Sequence, residues 1–181
     1  MDTLLTIIGI IAGIVLAVLA LSLIAAKSYT IQRKIVINRP VMQVFNYIKY
    51  LRNQDNYSKW VMLDPNKRIT DIGADGTVGF NSAWDSDVKQ VGKGNHTITN
   101  IIEGKRLDTR VVFIKPFAGV ADVYMATQAI SNDVTEVTWS FSSKMPMPMN
   151  IMLLFINMEK MLGRDIEESL NNLKTVLEKQ A

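Results

Sequence analysis

The chain has 181 residues, 48% of them hydrophobic, with one histidine, no cysteine and a net charge of +3. Without cysteine there are no disulfides, no thiolate zinc sites and no cysteine nucleophile. The basic residues are spread along the chain and never interleave with aromatics in a run, which argues against nucleic acid as a partner.

From Thr3 to Ala26 no residue is charged, and Lys27 then opens an ordinary mixed sequence. As a helix this stretch rises about 36 Å, against a hydrocarbon core of roughly 30 Å, so it predicts one transmembrane anchor over residues 1–27. A cleaved signal peptide is the rival reading. Against it stand Asp2, the absence of Lys or Arg before the apolar run, and the poor small-x-small site formed by Ile24 and Ala26. Lys27, Arg33, Lys34 and Arg39 follow the span, and the positive-inside rule therefore places the C-terminal domain in the cytoplasm. All 20 Lys and Arg lie beyond residue 26, giving that part a mildly basic balance suited to anionic headgroups. Gly9 and Gly13 form a GxxxG through which two spans can pack as a homodimer. Small residues are common in spans for other reasons, which is the favoured reading, and dimerisation stays a side hypothesis.

Residues 28–181 are one domain in size, long enough to bury a core. Tyr29 to Asn38 reads as a β-branched strand ended by Asn38-Arg39-Pro40. Val41, Val44, Phe45 and Ile48 recur at helical spacing, and a second short helical piece falls within Leu51 to Trp60. Six strand-like segments with turn signals between them follow, over 68–72, 77–85, 92–102, 106–114, 119–130 and 135–144. From Asn150 the period becomes helical, with a stripe of Leu154, Met158, Leu162, Ile166, Leu170, Leu173 and Leu177. Gly163 marks a place where that helix can bend. The layout is α+β, a curved antiparallel sheet wrapped around a long C-terminal helix.

Alternation assigns faces to the strands. Val78, Phe80, Ser82 and Trp84 share one side, as do Leu107, Thr109, Val111 and Phe113, and Val137, Trp139 and Phe141. Thr138, Ser140 and Ser142 fall on a solvated face. A strongly bent sheet closed by one helix leaves apolar interior space in which small hydrophobic ligands bind. The expected lining from the sheet is Phe80, Trp84, His96, Ile98, Val111, Phe113, Trp139 and Phe141. The expected lining from the helical segment is Met152, Phe155 and Met158.

The run Arg33-Lys34-Ile35-Val36-Ile37-Asn38-Arg39-Pro40, followed by Val44-Phe45 and Trp60, resembles the opening of the START/Bet v 1-like (SRPBCC) superfamily. Thr135-Glu136-Val137-Thr138-Trp139-Ser140, then Lys144-Met145-Pro146 and the final helix, resemble the bacterial polyketide cyclase/dehydrase-like branch, members of which carry an N-terminal membrane helix. The resemblance covers essentially the whole chain. It implies a helix-grip fold with a cavity between sheet and helix, and activities that range from lipid transfer to aromatic cyclisation.

Catalytic chemistry has few candidates. His96 has the intrinsic pKa of a general base, yet a lone histidine between apolar neighbours also serves as a pocket-lining side chain. Asp85 and Asp87 flank Ser86 at a hairpin tip, where such residues satisfy their own backbone. Asp122 points to solvent. One histidine and no cysteine leave no recognisable metal-ligand spacing, and no cofactor is implied. The expectation is therefore a membrane-anchored protein that binds a hydrophobic small molecule or lipid. A cyclase/dehydratase-like enzyme and a tethered interaction module with a filled core are the alternatives.

Overall fold

The computed structural model describes residues 2–179. An apolar helix, α1 (Asp2–Ile24), leads directly into β1 (Ser28–Ile37). Next come α2 (Val41–Ile48), a 3₁₀ turn (Leu51–Asn56) and the short α3 (Lys59–Met62). Six further strands follow: β2 (Arg68–Ile72), β3 (Asn81–Asp85), β4 (Lys93–Ile102), β5 (Arg106–Lys115), β6 (Gly119–Ser131) and β7 (Val134–Lys144). A second 3₁₀ turn (Met149–Leu154) precedes α4 (Met158–Lys179).

The seven strands form one sheet in the order β1-β7-β6-β5-β4-β3-β2, every neighbouring pair antiparallel. The first strand thus closes against the last, and α4 lies on the face they share. Its buried stripe of Ile166, Leu170, Leu173 and Leu177 packs with Ile31, Ile37, Val137 and Trp139 of the sheet and with Val44, Phe45 and Ile48 of α2. Fully burying each such side chain stabilises the fold by about 1.5–3 kcal/mol. Arg39 pins the far end of α4 by donating to the Leu177 and Glu178 carbonyls at 3.0 and 2.8 Å, groups a helix C-terminus leaves unpaired. A smaller cluster of Leu51, Phe80, Ile98 and Leu107 fills the sheet beneath the first 3₁₀ turn.

The structure departs from the sequence reading in four places. The strand expected over 77–85 is regular only from Asn81, although Gly79 and Phe80 still share backbone hydrogen bonds of 2.9 Å with Ile98: Gly79 has φ +92°, and Thr77 Oγ1 turns back to the Ala74 carbonyl at 2.7 Å. Val78 is consequently exposed while Phe80 enters the smaller cluster. The C-terminal helix begins at Met158 rather than Asn150, because Asn157 accepts from the Lys160 amide at 2.8 Å and acts as an N-cap. Leu154 therefore lies off the buried stripe and is half exposed. Ser140, expected in solvent, is buried, since Gln32 and Tyr124 on the flanking strands close over it. At Gly163 α4 continues without interruption, and the missing Cβ leaves room for the Arg33 guanidinium.

α1 touches the domain only at its end. Thr3–Ile24 has a mean hydropathy of 3.0 with 6% of its most apolar window buried, and among the described residues it is the one helix long and apolar enough to cross a membrane. Ser22 and Ala25 are buried against the second 3₁₀ turn, where Asn150 Nδ2 donates to their carbonyls at 2.7 and 3.2 Å. Those carbonyls belong to the last turn and its flank, which have no partners of their own.

Candidate functional site: a cavity between the sheet and the helices

A cavity of about 310 Å³ lies between the concave face of the sheet and the helical layer. The sheet contributes Ser82 and Trp84 from β3, His96 from β4, Val111 and Phe113 from β5, Val123 from β6, and Trp139 and Phe141 from β7. The helical side contributes Leu51, Gln54 and Ser58 around the first 3₁₀ turn, Trp60 and Val61 from α3, and Leu162 from α4. Arg52, Asp55, Lys67 and Gln90 add polar groups to the lining.

Aromatic rings make much of the wall. Trp60 stands edge-on to Trp139 at 6.1 Å and is tilted to Phe141 at 6.3 Å, while Trp84 meets Phe113 edge-on at 6.1 Å. Such edge-on pairs are favoured by the ring quadrupoles. Trp84 is held in place by donating from Nε1 to the Val91 carbonyl at 3.0 Å. It also depends on Gly94, its register partner, because a Cβ there would lie 2.5 Å from the indole. Trp60 Nε1 donates to Asp165 at 3.2 Å, which ties α3 to α4. Trp139 Nε1 is buried without a hydrogen-bond partner among the described residues.

A polar seam crosses this apolar wall. Register places Ser82 opposite His96 and His96 opposite Val111. His96 Nε2 lies 2.8 Å from Thr109 Oγ1, and that hydroxyl in turn reaches the Val123 carbonyl at 3.4 Å. If the threonine gives its proton to the carbonyl, it accepts from Nε2–H, and Nδ1 is left as a bare acceptor. Burial away from water pushes the imidazole down to about 4, so His96 is neutral at neutral pH. A base this weak is poorly matched to proton abstraction near pH 7 but well suited to accepting a hydrogen bond.

The remaining sequence candidates are placed as follows. Of the eleven expected lining residues, Trp84, His96, Val111, Phe113, Trp139 and Phe141 meet in the cavity wall. Phe80 and Ile98 pack in the smaller cluster behind it. Met158 packs against the main core, and Met152 and Phe155 are exposed on the segment before α4. Asp85 binds Lys93 at 3.0 Å, which lowers its carboxyl pKa, and Asp87 binds Arg68 at 3.2 Å; neither lines the cavity. Asp122 pairs with Arg110 at 2.8 Å on the outer face. No group of three or more potential metal ligands occurs among the described residues.

The lining residues missing from the sequence reading come mainly from the 3₁₀ turn, α3 and the β3–β4 loop, where no period marks an inward face. Ser82 was detectable by its place on the Trp84 face. Leu162 was detectable on the helical stripe.

A family model described as polyketide cyclase / dehydrase and lipid transport matches residues 28–178. No curated protein matches the chain. Among solved structures, norcoclaurine synthase from Thalictrum flavum, in complex with dopamine and hydroxybenzaldehyde, is similar with a TM-score of 0.61 and 8% identity, over 88% of this chain and 92% of that one. A protein from Mesorhizobium loti gives a TM-score of 0.60 and 12% identity over 84% and 99% of the two chains. Ara h 8.0201 gives 0.56 and 12% over 84% and 99%. At such identities the likeness establishes the fold, a Bet v 1-like helix-grip.

Proposed function

The chain belongs to the polyketide cyclase / dehydrase and lipid transport family, and from that premise we propose that it is a membrane-anchored binding protein for one compact, largely apolar molecule. Residues 1–27 serve as the anchor and residues 28–181 as the binding domain. The cations that follow the span hold that domain in the cytoplasm.

The carrying observation is an aromatic-walled cavity lined by the single histidine, whose Nε2 is engaged by Thr109 Oγ1; with that threonine donating to the Val123 carbonyl, Nδ1 is the nitrogen free to accept. The volume selects the ligand. A cavity of about 310 Å³ is at the small end of the range for ligand pockets, which favours a fused ring pair or one short chain. Trp60, Trp84, Trp139, Phe113 and Phe141 supply flat surfaces for a ring, while His96 favours a ligand whose hydroxyl can donate to Nδ1. The low basicity of His96 supports binding over cyclase-like catalysis.

Titrating the full chain in detergent with 2-naphthol and with naphthalene, read by tryptophan fluorescence, tests this. Both should quench saturably, and 2-naphthol should bind about fivefold tighter, the worth of one hydrogen bond. His96→Phe should abolish that preference while leaving naphthalene binding in place. Absence of saturable quenching by either compound would sink the proposal.

A further inference from the structure

The antiparallel register gathers several loops at the end of the sheet where α1 enters. Ser28 pairs with Lys144, Phe113 with Gly119 and Lys93 with Lys115. The start of β1, the end of β7 and the β5–β6 hairpin therefore share one edge. Only Ala25, Ala26 and Lys27 separate α1 from β1. The β5–β6 hairpin lies two to three strands from β1, a lateral distance of roughly 10–15 Å.

This end exposes apolar side chains that the core does not use. Phe117 at the hairpin tip is 72% exposed, and Phe155 before α4 is 80% exposed. Met149, Met152, Leu154 and Ile156 are exposed beside Phe155, on the segment that Asn150 fastens to the end of α1. Single exposed apolar residues are ordinary, but a contiguous group next to a membrane-length helix is not.

Exposed cations lie at this end as well. Lys27, Lys115, Lys144, Lys160 and Arg164 belong to this end or to the first turns of α4 and are exposed. None of the five forms an ion pair among the described residues; the same holds for Lys89, Lys105 and Lys179, while Arg33, Lys34, Lys49, Arg52 and Arg110 are paired. Lys160 and Arg164 border a shallow depression on the outer side of α4 together with Ile156 and Met161. Apolar tips beneath unpaired cations match the layering of acyl chains beneath phosphates.

We propose that this end of the domain lies in the headgroup layer of an anionic bilayer, with Phe117 and the 149–156 segment below the phosphates and the five cations among them. The proposal rests on α1 being a membrane anchor, and it adds a second attachment that fixes the domain's orientation. Continuity with α1 and charge complementarity identify the occupant as lipid.

The chain has no cysteine, so single-cysteine probes are direct. Phe117→Cys, Phe155→Cys and, at the opposite hairpins, Lys105→Cys and Asp133→Cys would be labelled with an environment-sensitive fluorophore. The full chain would then be reconstituted in phosphatidylcholine vesicles with or without one-third phosphatidylglycerol. Expected are blue-shifted emission and several-fold stronger quenching by spin-labelled lipid at 117 and 155 than at 105 and 133. The phosphatidylglycerol should deepen both, and the combined variant Lys115→Gln, Lys144→Gln, Lys160→Gln, Arg164→Gln should lose that gain. Equal water exposure at all four sites in an inserted chain would overturn the proposal and leave the anchor standing. Shielding at 117 and 155 without lipid quenching would mean that protein covers this face, and would overturn it too. A chain that alkaline carbonate strips from the vesicles would defeat the anchor reading itself.

Discussion

The two halves of α4 face the same sheet with opposite results. Beyond Ile166 the helix is sealed: Ile166, Leu170, Leu173 and Leu177 are buried against β1, β7 and α2, and Arg39 and Glu178 fix its end. Before Ile166 only Gly163 is buried, against the Arg33 guanidinium, and the apolar stripe loosens. Met158 and Leu162 are only partly buried, Leu162 borders the cavity, and Met161, Lys160 and Arg164 face outward. One apolar stripe thus builds a packed core at one end and one side of a cavity at the other. Trp60 of α3 packs on Trp139 at the open end and borders the cavity that remains there.

Truncation at the sealed end should have the largest effect. Leu173→Ala removes a fully buried side chain from a close-packed site and should cost about 2–5 kcal/mol by thermal or denaturant unfolding. Leu162→Ala at the open end should cost clearly less, because part of that side chain already faces empty space. Equal losses at the two positions would erase the contrast between the halves.

Acid should weaken the cavity end next. His96 has a pKa of about 4 in the folded chain, below the ordinary 6.5. Its contribution is fully present above pH 6.5, declines as pH falls because only the unfolded chain takes up the proton, and levels off below about 4. The span is on the order of 3 kcal/mol. His96→Phe should flatten that part of the stability profile, and an unchanged profile would show that the imidazole is not desolvated.

Gly94→Ala should disturb both stability and the cavity. A Cβ at that position collides with the Val112 backbone carbonyl as well as with the Trp84 indole. Overpacking costs about 1–3 kcal/mol and occasionally more, and the displaced ring should occupy cavity space. Weaker naphthalene binding together with a lowered unfolding midpoint is the expected pair of results.

The same contrast separates what the sequence revealed from what it concealed. Strand alternation placed Trp139, Phe141, Val111 and Phe113 on one concave face because period two survives wherever a strand is paired along its length. It failed at 77–78, where the Thr77 turn and the positive φ of Gly79 take Val78 out of the strand. The helical stripe was legible from Met158 onward. Extrapolated back past the Asn157 cap it assigned Met152 and Phe155 an inward face that a 3₁₀ turn does not provide. The lining from Leu51, Gln54, Ser58 and Val61 carried no period at all. The hydrogen bond between His96 and Thr109 joins adjacent strands and depends on register, which alternation alone does not set.

His96 is the only histidine in the chain, so its ring nitrogens can be observed without assignment ambiguity. Nitrogen-15 NMR of the full chain at pH 7, with and without 2-naphthol, tests the central claim most directly. A neutral ring protonated on Nε2, whose Nδ1 resonance moves with 2-naphthol and hardly moves with naphthalene, is the expected result. A ring that is charged at pH 7, or an Nδ1 resonance indifferent to saturating 2-naphthol, would contradict the account.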